Sequence, residues 1–326
     1  MASRPEFLEI LSEDLARVED YLCRTVQSHA QLLPLVYRHT LQAGGKRVRP
    51  ALTLLSARAF GCREPRVAVL ASATELIHIA SMIHDDVIDA VDMRRGRSAA
   101  NAQWTNRISV LVADYLVSKV YSDLARRREL DALAALAAAV DEMCEAELAH
   151  IDGRARGDDR TESFYYDVVR GKTGVLMGAC CEIGAAAGGA RPEQVAALKR
   201  YGTALGTAFQ IIDDLLDLIG DPQTLGKPVG NDLATGKLTL PVIRALQLSR
   251  DGFEARIRAV GERGRIDRQE LMKIVRAVED LQGIEYTRDA ARRFAEQAVR
   301  ELEPVPDCPE RRALEALTTY VQQRDT

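Results

Sequence analysis

The chain has 326 residues, with 44 Lys and Arg against 48 Asp and Glu and a formal net charge of −4. That balance argues against a nucleic-acid binder, which carries a basic footprint. A composition of 47% hydrophobic and 28% charged residues is globular rather than disordered, and 5% aromatics is sparse for a large β-sandwich or barrel.

At the N-terminus, Arg4, Glu6 and Glu9 interrupt any apolar core of a signal peptide. The six cysteines, at 23, 62, 144, 180, 181 and 308, form no CxxC pair, so reduced thiols and a cytoplasmic location are expected. Gly44-Gly45-Lys46-Arg47-Val48-Arg49-Pro50 reads as a turn, then cations, then a proline suited to the first turn of a helix. Clustered cations at a helix N-terminus suit an anion. From Arg66 to Arg95, and again from Arg97 to Asp152, there is neither Gly nor Pro. Strands average about 5–6 residues, so a β-rich chain would need turns far more often. Both stretches are rich in helix formers, and Leu130–Val140 is almost entirely Ala and Leu.

Val67–Ile83 is apolar on nearly every face, with only Glu75 and His78 strongly polar, which places it in the centre of a helical bundle. No run of about 18 apolar residues exists, so no transmembrane helix is expected. Further on, Gly220–Pro241 is an irregular stretch of the kind that is functional when it lies inside a compact domain. Ile284–Leu302 alternates Arg288, Arg292, Arg293 and Arg300 with apolar positions, as a surface helix does. Pro304, Pro306 and Pro309 then break the pattern before a last helix, Glu310–Gln322. No Ser/Gly linker or charge block divides the sequence, so residues 1–326 are expected to form one large all-α domain.

The chemistry is concentrated in two echoing segments. Asp85, Asp86 and Asp89 follow the apolar helix, and Asp213, Asp214 and Asp217 repeat the arrangement. Positions i and i+4 share a helix face, so Asp85 and Asp89 project side by side. Paired carboxylates beside apolar residues are costly unless a cation relieves them, and Mg²⁺ is typically held by one or two carboxylates plus substrate phosphates. Arg94-Arg95-Gly96, Lys172-Thr173, Lys227 and Lys237 add phosphate-binding cations. As a set they describe a site for a polyanion bridged by metal. His78 lies two turns before Asp85; a satisfied core histidine and a ligand-binding one both fit that position.

These motifs, in this order, resemble the trans-isoprenyl diphosphate synthases, or polyprenyl synthetases. Asp85-Asp86-Val87-Ile88-Asp89 matches the family's first aspartate-rich motif and Asp213-Asp214-Leu215-Leu216-Asp217 its second. Gly44–Pro50, Arg94–Gly96, Lys172-Thr173, Phe209-Gln210, Gly226-Lys227, Asn231-Asp232 and Gly236-Lys237 match as well. The resemblance runs from about Leu41 to Pro241 and implies an isoprenoid synthase fold, roughly a dozen helices around a central catalytic cavity. It further implies that Lys46, Arg49 and His78, with Arg95, hold the diphosphate of isopentenyl diphosphate. Asp85, Asp89, Asp213 and Asp217 would bind Mg²⁺, roughly three ions per site with substrate bound. Arg94, Lys172, Lys227 and Lys237 would grip the allylic diphosphate, and Thr173 and Gln210 would line the reacting carbons. A homodimer is also implied.

In such a family the residues upstream of the first Asp motif line the tunnel for the growing chain. Here Ala73, Ile77, Ala80 and Ser81 carry no aromatic block, and a helical turn of about 5.4 Å approximates one isoprene unit. A long product, about C30–C40 or longer, is therefore expected, with Leu70, Tyr115 or Leu116 as candidate floors. Farnesyl or geranylgeranyl diphosphate synthesis is the alternative. A terpene cyclase is disfavoured by the Asp213–Asp217 motif and the second cationic site, and a non-catalytic partner subunit by two intact Asp motifs. One departure is Ala146-Glu147-Leu148-Ala149-His150, where the family often reads Gly-Glu-x-x-Gln; His150 replaces the usual Gln.

Overall fold

A computed structural model describes residues 6–42, 44–94, 96–220, 229–249 and 252–323. Its elements are almost all helical, as the lack of turn residues predicts. In chain order the first are α1 (Ser12–Thr25), α2 (Leu32–Gln42), α3 (Val48–Arg58) and α4 (Pro65–Ile88). A two-residue hairpin, β1 (Met93–Arg94) paired antiparallel with β2 (Arg97–Ser98), supplies the only strands among the described residues. Then come α5 (Ala100–Gln103), α6 (Asn106–Arg127), α7 (Leu130–Arg156), α8 (Glu162–Val169), α9 (Val175–Ala187) and α10 (Pro192–Ile219). The chain finishes with α11 (Asn231–Ala234), α12 (Leu240–Leu248), α13 (Phe253–Arg263), α14 (Arg268–Asp280), α15 (Gly283–Glu301) and α16 (Pro309–Gln322).

The chain divides into two compact units. The first comprises Met1–Asp141, Leu176–Gly202 and Glu301–Leu317. Its centre is α4, which starts on Pro65 at an N-terminal position where a missing N–H costs nothing, and packs against α1, α3 and α6. Among the described helices α4 alone is long and apolar enough to cross a membrane, and most of it is buried inside this unit. Gly184 of α9 lets two backbones approach: a Cβ there would lie 2.2 Å from the Thr53 carbonyl oxygen of α3. Helix α6 opens on Thr105, whose hydroxyl accepts from the Ile108 amide.

The second unit comprises Glu142–Val175, Thr203–Arg300 and Thr318–Thr326. One apolar cluster gathers Leu218, Leu233, Val242, Phe253, Val260 and Ile274. Another gathers Tyr165, Val169, Ile211, Ile212, Leu216 and Ile243. The apolar residues that flank the second Asp motif are therefore core contacts, and they fix the rotation of α10. Between α8 and α9 the helix widens into a π turn, Arg170–Gly174. Single π turns of this kind recur at functional sites.

Candidate functional site

In the first unit, Lys46 and Arg49 flank the start of α3. Lys46 is exposed, whereas the Arg49 Nε is buried and finds no hydrogen-bond partner among the described residues. Burial pulls the Arg49 guanidinium down from its usual range, and the charge of Glu75 offsets this in part. Arg47, between them, adopts the left-handed conformation at φ 51° and caps α3. Its guanidinium forks onto Glu19 at 2.5 and 3.2 Å and reaches Glu75 at 2.9 Å. His78 lies one turn beyond Glu75 on α4, half-buried.

The first Asp motif ends α4, and its three acids differ in surroundings. Asp86 is 4% exposed and receives the Arg94 guanidinium on one oxygen, Nε at 2.7 Å and Nη2 at 2.6 Å. Burial pushes the Asp86 carboxyl up, and Arg94 counters it. Asp85 is half-buried and Asp89 exposed, and the Asp89 amide donates to the Asp85 carbonyl at 2.8 Å. Of the three acids, the buried Asp86 anchors Arg94. Arg95 lies outside the described residues. Upstream, Ala73, Ile77 and Ala80 are buried, Ser81 is half-buried with its hydroxyl donating to the His78 carbonyl, and Leu70 and Leu116 are buried. Tyr115 is half-buried and lines a surface cleft of about 480 Å³ with Tyr21 and Lys119.

In the second unit the predicted residues form a hydrogen-bonded chain. Thr173, on the π turn, donates through Oγ1 to Gln210 Oε1 at 2.9 Å. Gln210 Nε2 donates to Asp214 Oδ1 at 2.8 Å. The Tyr165 hydroxyl donates to Asp214 Oδ2 at 2.8 Å, and Lys237 Nζ stands 3.4 Å from Asp214 and 3.4 Å from Asp232. Burial works against the Lys237 charge, but Asp214 and Asp232 outweigh it and raise the ammonium above its ordinary range. The Tyr165 hydroxyl is pushed well up, by burial first and by the Asp214 charge next. The carboxylate of Asp214 fixes the Gln210 amide with its nitrogen inward. Its oxygen then takes the Thr173 proton, so the Thr173 oxygen keeps only acceptor capacity for anything else.

Asp217 is 5% exposed, and its Oδ2 accepts the Asp232 amide at 3.0 Å, while Asp213 is half-buried. Lys172 pairs with Glu147 of α7. One turn further on, His150 sits among Lys172, Lys237 and Arg154. Burial and those cations pull its pKa down to about 4, against the attraction of Glu147, so the imidazole is neutral at physiological pH. Gly171 permits the close approach of α7, because a Cβ there would meet Ala146 Cβ at 2.4 Å. Lys227 lies outside the described residues.

Sequence reasoning gave no role to Tyr165, Glu147, Arg47 or Glu75. For Glu75 the signal was present, a lone charge inside an apolar helix; a buried tyrosine that needs a partner leaves no such mark. The acids available to a metal offer only hard carboxylate oxygens. Among the described residues no three His, Cys, Asp or Glu side chains gather as a ready cation cage. That donor set fits Mg²⁺ shared with phosphate oxygens rather than a closed protein site.

The polyprenyl synthetase family model matches residues 30–278. The chain is 40% identical to heptaprenyl diphosphate synthase component 2 of Geobacillus stearothermophilus, over 97% of each chain. Its fold superposes on a decaprenyl diphosphate synthase from Rhodobacter capsulatus with a TM-score of 0.91 and 37% identity, covering 99% of this chain and 100% of that one. A polyprenyl synthase from Caulobacter crescentus, solved with calcium and isoprenyl diphosphate, gives 0.92 and 32%, covering 99% and 98%.

Proposed function

The chain belongs to the polyprenyl synthetase family of prenyltransferases, and from that premise we propose that it condenses isopentenyl diphosphate head to tail with an allylic diphosphate, repeatedly, to a long-chain all-trans polyprenyl diphosphate. The observation that carries this reading is the Thr173–Gln210–Asp214 chain. A reaction through an allylic cation needs acceptor dipoles without a nucleophile, and Thr173, its proton committed to Gln210, is such a dipole.

Lys46 and Arg49 hold the diphosphate of isopentenyl diphosphate, together with His78 of α4. Lys172 and Lys237, with Arg94 and Lys227, hold the allylic diphosphate. Asp85, Asp89, Asp213 and Asp217 would hold Mg²⁺, which would neutralise the diphosphate and stabilise it as a leaving group. The allylic C–O bond breaks and pyrophosphate leaves with the electron pair. The double bond of isopentenyl diphosphate attacks the cation, forming the new C–C bond, and the released pyrophosphate takes the proton. Cations fixed where charge develops supply the electrostatic part of catalysis. We read both compact units as parts of one polyprenyl synthetase domain that works in the cytoplasm as a homodimer; exposed Leu111 and Leu130 of the first unit and Leu148 and Ile151 of the second support burial against a second copy.

Product length rests on Ala73, Ile77, Ala80 and Ser81, which leave one face of α4 without an aromatic block. The test is to incubate the purified protein with farnesyl diphosphate, isopentenyl diphosphate and Mg²⁺ and to size the product. A hexaprenyl or longer product is expected; arrest at farnesyl or geranylgeranyl length refutes the long-chain reading. The name "component 2" of the Geobacillus relative favours a second reading, a catalytic component that needs a separate partner. Lack of turnover by the pure protein, restored by a partner chain, would select it.

A further inference from the structure

Glu75 is the charge around which the cationic loop of the first unit is built. It lies mid-way along α4 with only 5% of its side chain exposed, and a buried carboxylate must find a counter-charge. Two guanidiniums stand in its field. Arg47 takes it at 2.9 Å, while Arg49 feels its field and keeps a buried Nε with no partner among the described residues. Arg47 is itself held by Glu19 of α1 through a bidentate fork, the geometry that best fixes a guanidinium. It holds this place from a left-handed backbone that a non-glycine residue enters only at some cost. The arrangement commits one arginine to the protein and leaves its neighbour under-compensated, at the start of a helix where an anion is favoured.

We propose that Arg47 is a positioning residue for isopentenyl diphosphate: by occupying Glu75 it keeps that carboxylate off Arg49, whose charge is thereby reserved for the substrate diphosphate. The inference rests on the reading of Lys46 and Arg49 as the isopentenyl diphosphate site. Arg47 touches no substrate and acts only through Glu75. Without it, Glu75 turns to Arg49 and competes with the diphosphate.

The test is a set of double-mutant cycles on the full chain, reading KM for isopentenyl diphosphate, KM for farnesyl diphosphate and thermal stability. Arg47→Met raises KM for isopentenyl diphosphate about tenfold and leaves KM for farnesyl diphosphate within about twofold. Adding Glu75→Gln returns KM for isopentenyl diphosphate to within about threefold of wild type, because the competing carboxylate is gone. Adding Glu19→Gln restores the same net charge but leaves Glu75 in place, and gives no recovery. Equal rescue by both, rescue by neither, or a joint rise of both KM values overturns the proposal. If Arg47→Met does not fold, Glu75→Gln alone decides: KM for isopentenyl diphosphate at or below wild type supports the proposal, and a rise overturns it. Arg49→Gln separates the two levels. If it leaves KM for isopentenyl diphosphate unchanged, the assignment of the substrate site fails; if it raises KM but Glu75→Gln gives no rescue, only the role of Arg47 fails.

Discussion

Removal of a single buried hydroxyl, in Tyr165→Phe, probes the hydrogen-bonded chain of the second unit. Tyr165 is 5% exposed, and its hydroxyl donates to Asp214 Oδ2 at 2.8 Å. Phenylalanine keeps the ring and opens no cavity, so the loss is the hydrogen bond itself. A hydrogen bond to a charged group contributes about 1.5–3 kcal/mol. Asp214 keeps Gln210 at 2.8 Å and Lys237 at 3.4 Å, which holds the loss near the lower end, about 1.5 kcal/mol. For a chain of this size that lowers Tm by about 2–4 °C. The catalytic effect comes through Gln210. With one donor gone, Asp214 rotates toward Lys237, and Gln210 and Thr173 lose their fixed orientation. A loss of about 1 kcal/mol of transition-state stabilisation is a roughly fivefold fall in kcat. Steady-state kinetics with both substrates varied, beside a urea titration, reads both quantities. Wild-type kcat together with wild-type stability would refute the chain; a fall in kcat accompanied by large rises in both KM values would mean general disruption instead.

With Asp85 and Asp213 in the proposed Mg²⁺-holding role, Asp85→Ala and Asp213→Ala each lower turnover by about a thousandfold with little loss of fold; near-normal activity in either would favour a non-catalytic subunit. His150 gives a pH signature. Its folded pKa of about 4 lies below the ordinary 6.5, so its neutral form stabilises the fold above pH 6.5 and that stability is lost as pH falls through 4. Relative to His150→Gln, the wild type loses about 1–2 kcal/mol across that window after allowance for solvent screening, read as a shift in urea midpoint; parallel pH profiles for the two proteins would refute the assignment. Gly184→Ala puts a methyl 2.2 Å from the Thr53 carbonyl and 2.8 Å from Ser56 Cβ, and costs about 2–3 kcal/mol in thermal or urea unfolding; a neutral substitution would mean that α3 and α9 are not in such close approach.

How much the sequence revealed depends on whether the signal is local. The all-helical fold was legible because long stretches lacked Gly and Pro, and α4 was legible as a core helix because its apolar residues cover every face. The two Asp motifs stood out because acids rarely interrupt such helices. Spacing set Asp85 and Asp89 on one face, but it could not show what the remaining acids, Asp86 and Asp214, hold. The rotation of α4 buries Asp86 against Arg94, with Asp85 half-buried and Asp89 exposed. In the second motif Asp214 goes inward to Tyr165 and Gln210, and Asp213 does not. That rotation is set by apolar contacts made with distant segments. The π turn at Lys172 was hidden for the same reason. Its Gly171 and Gly174 leave room for Ala146 of α7 and the Thr203 carbonyl of α10, neighbours that no local spacing reveals. Arg47 was the least legible of all. It stands in a run of cations where each looks equally available to an anion, and only the placement of Glu19 and Glu75 decides which arginine is spent on the protein. The run from Lys46 to Arg49 therefore overstates its own binding capacity, because Arg47 is already paired with Glu19 and Glu75.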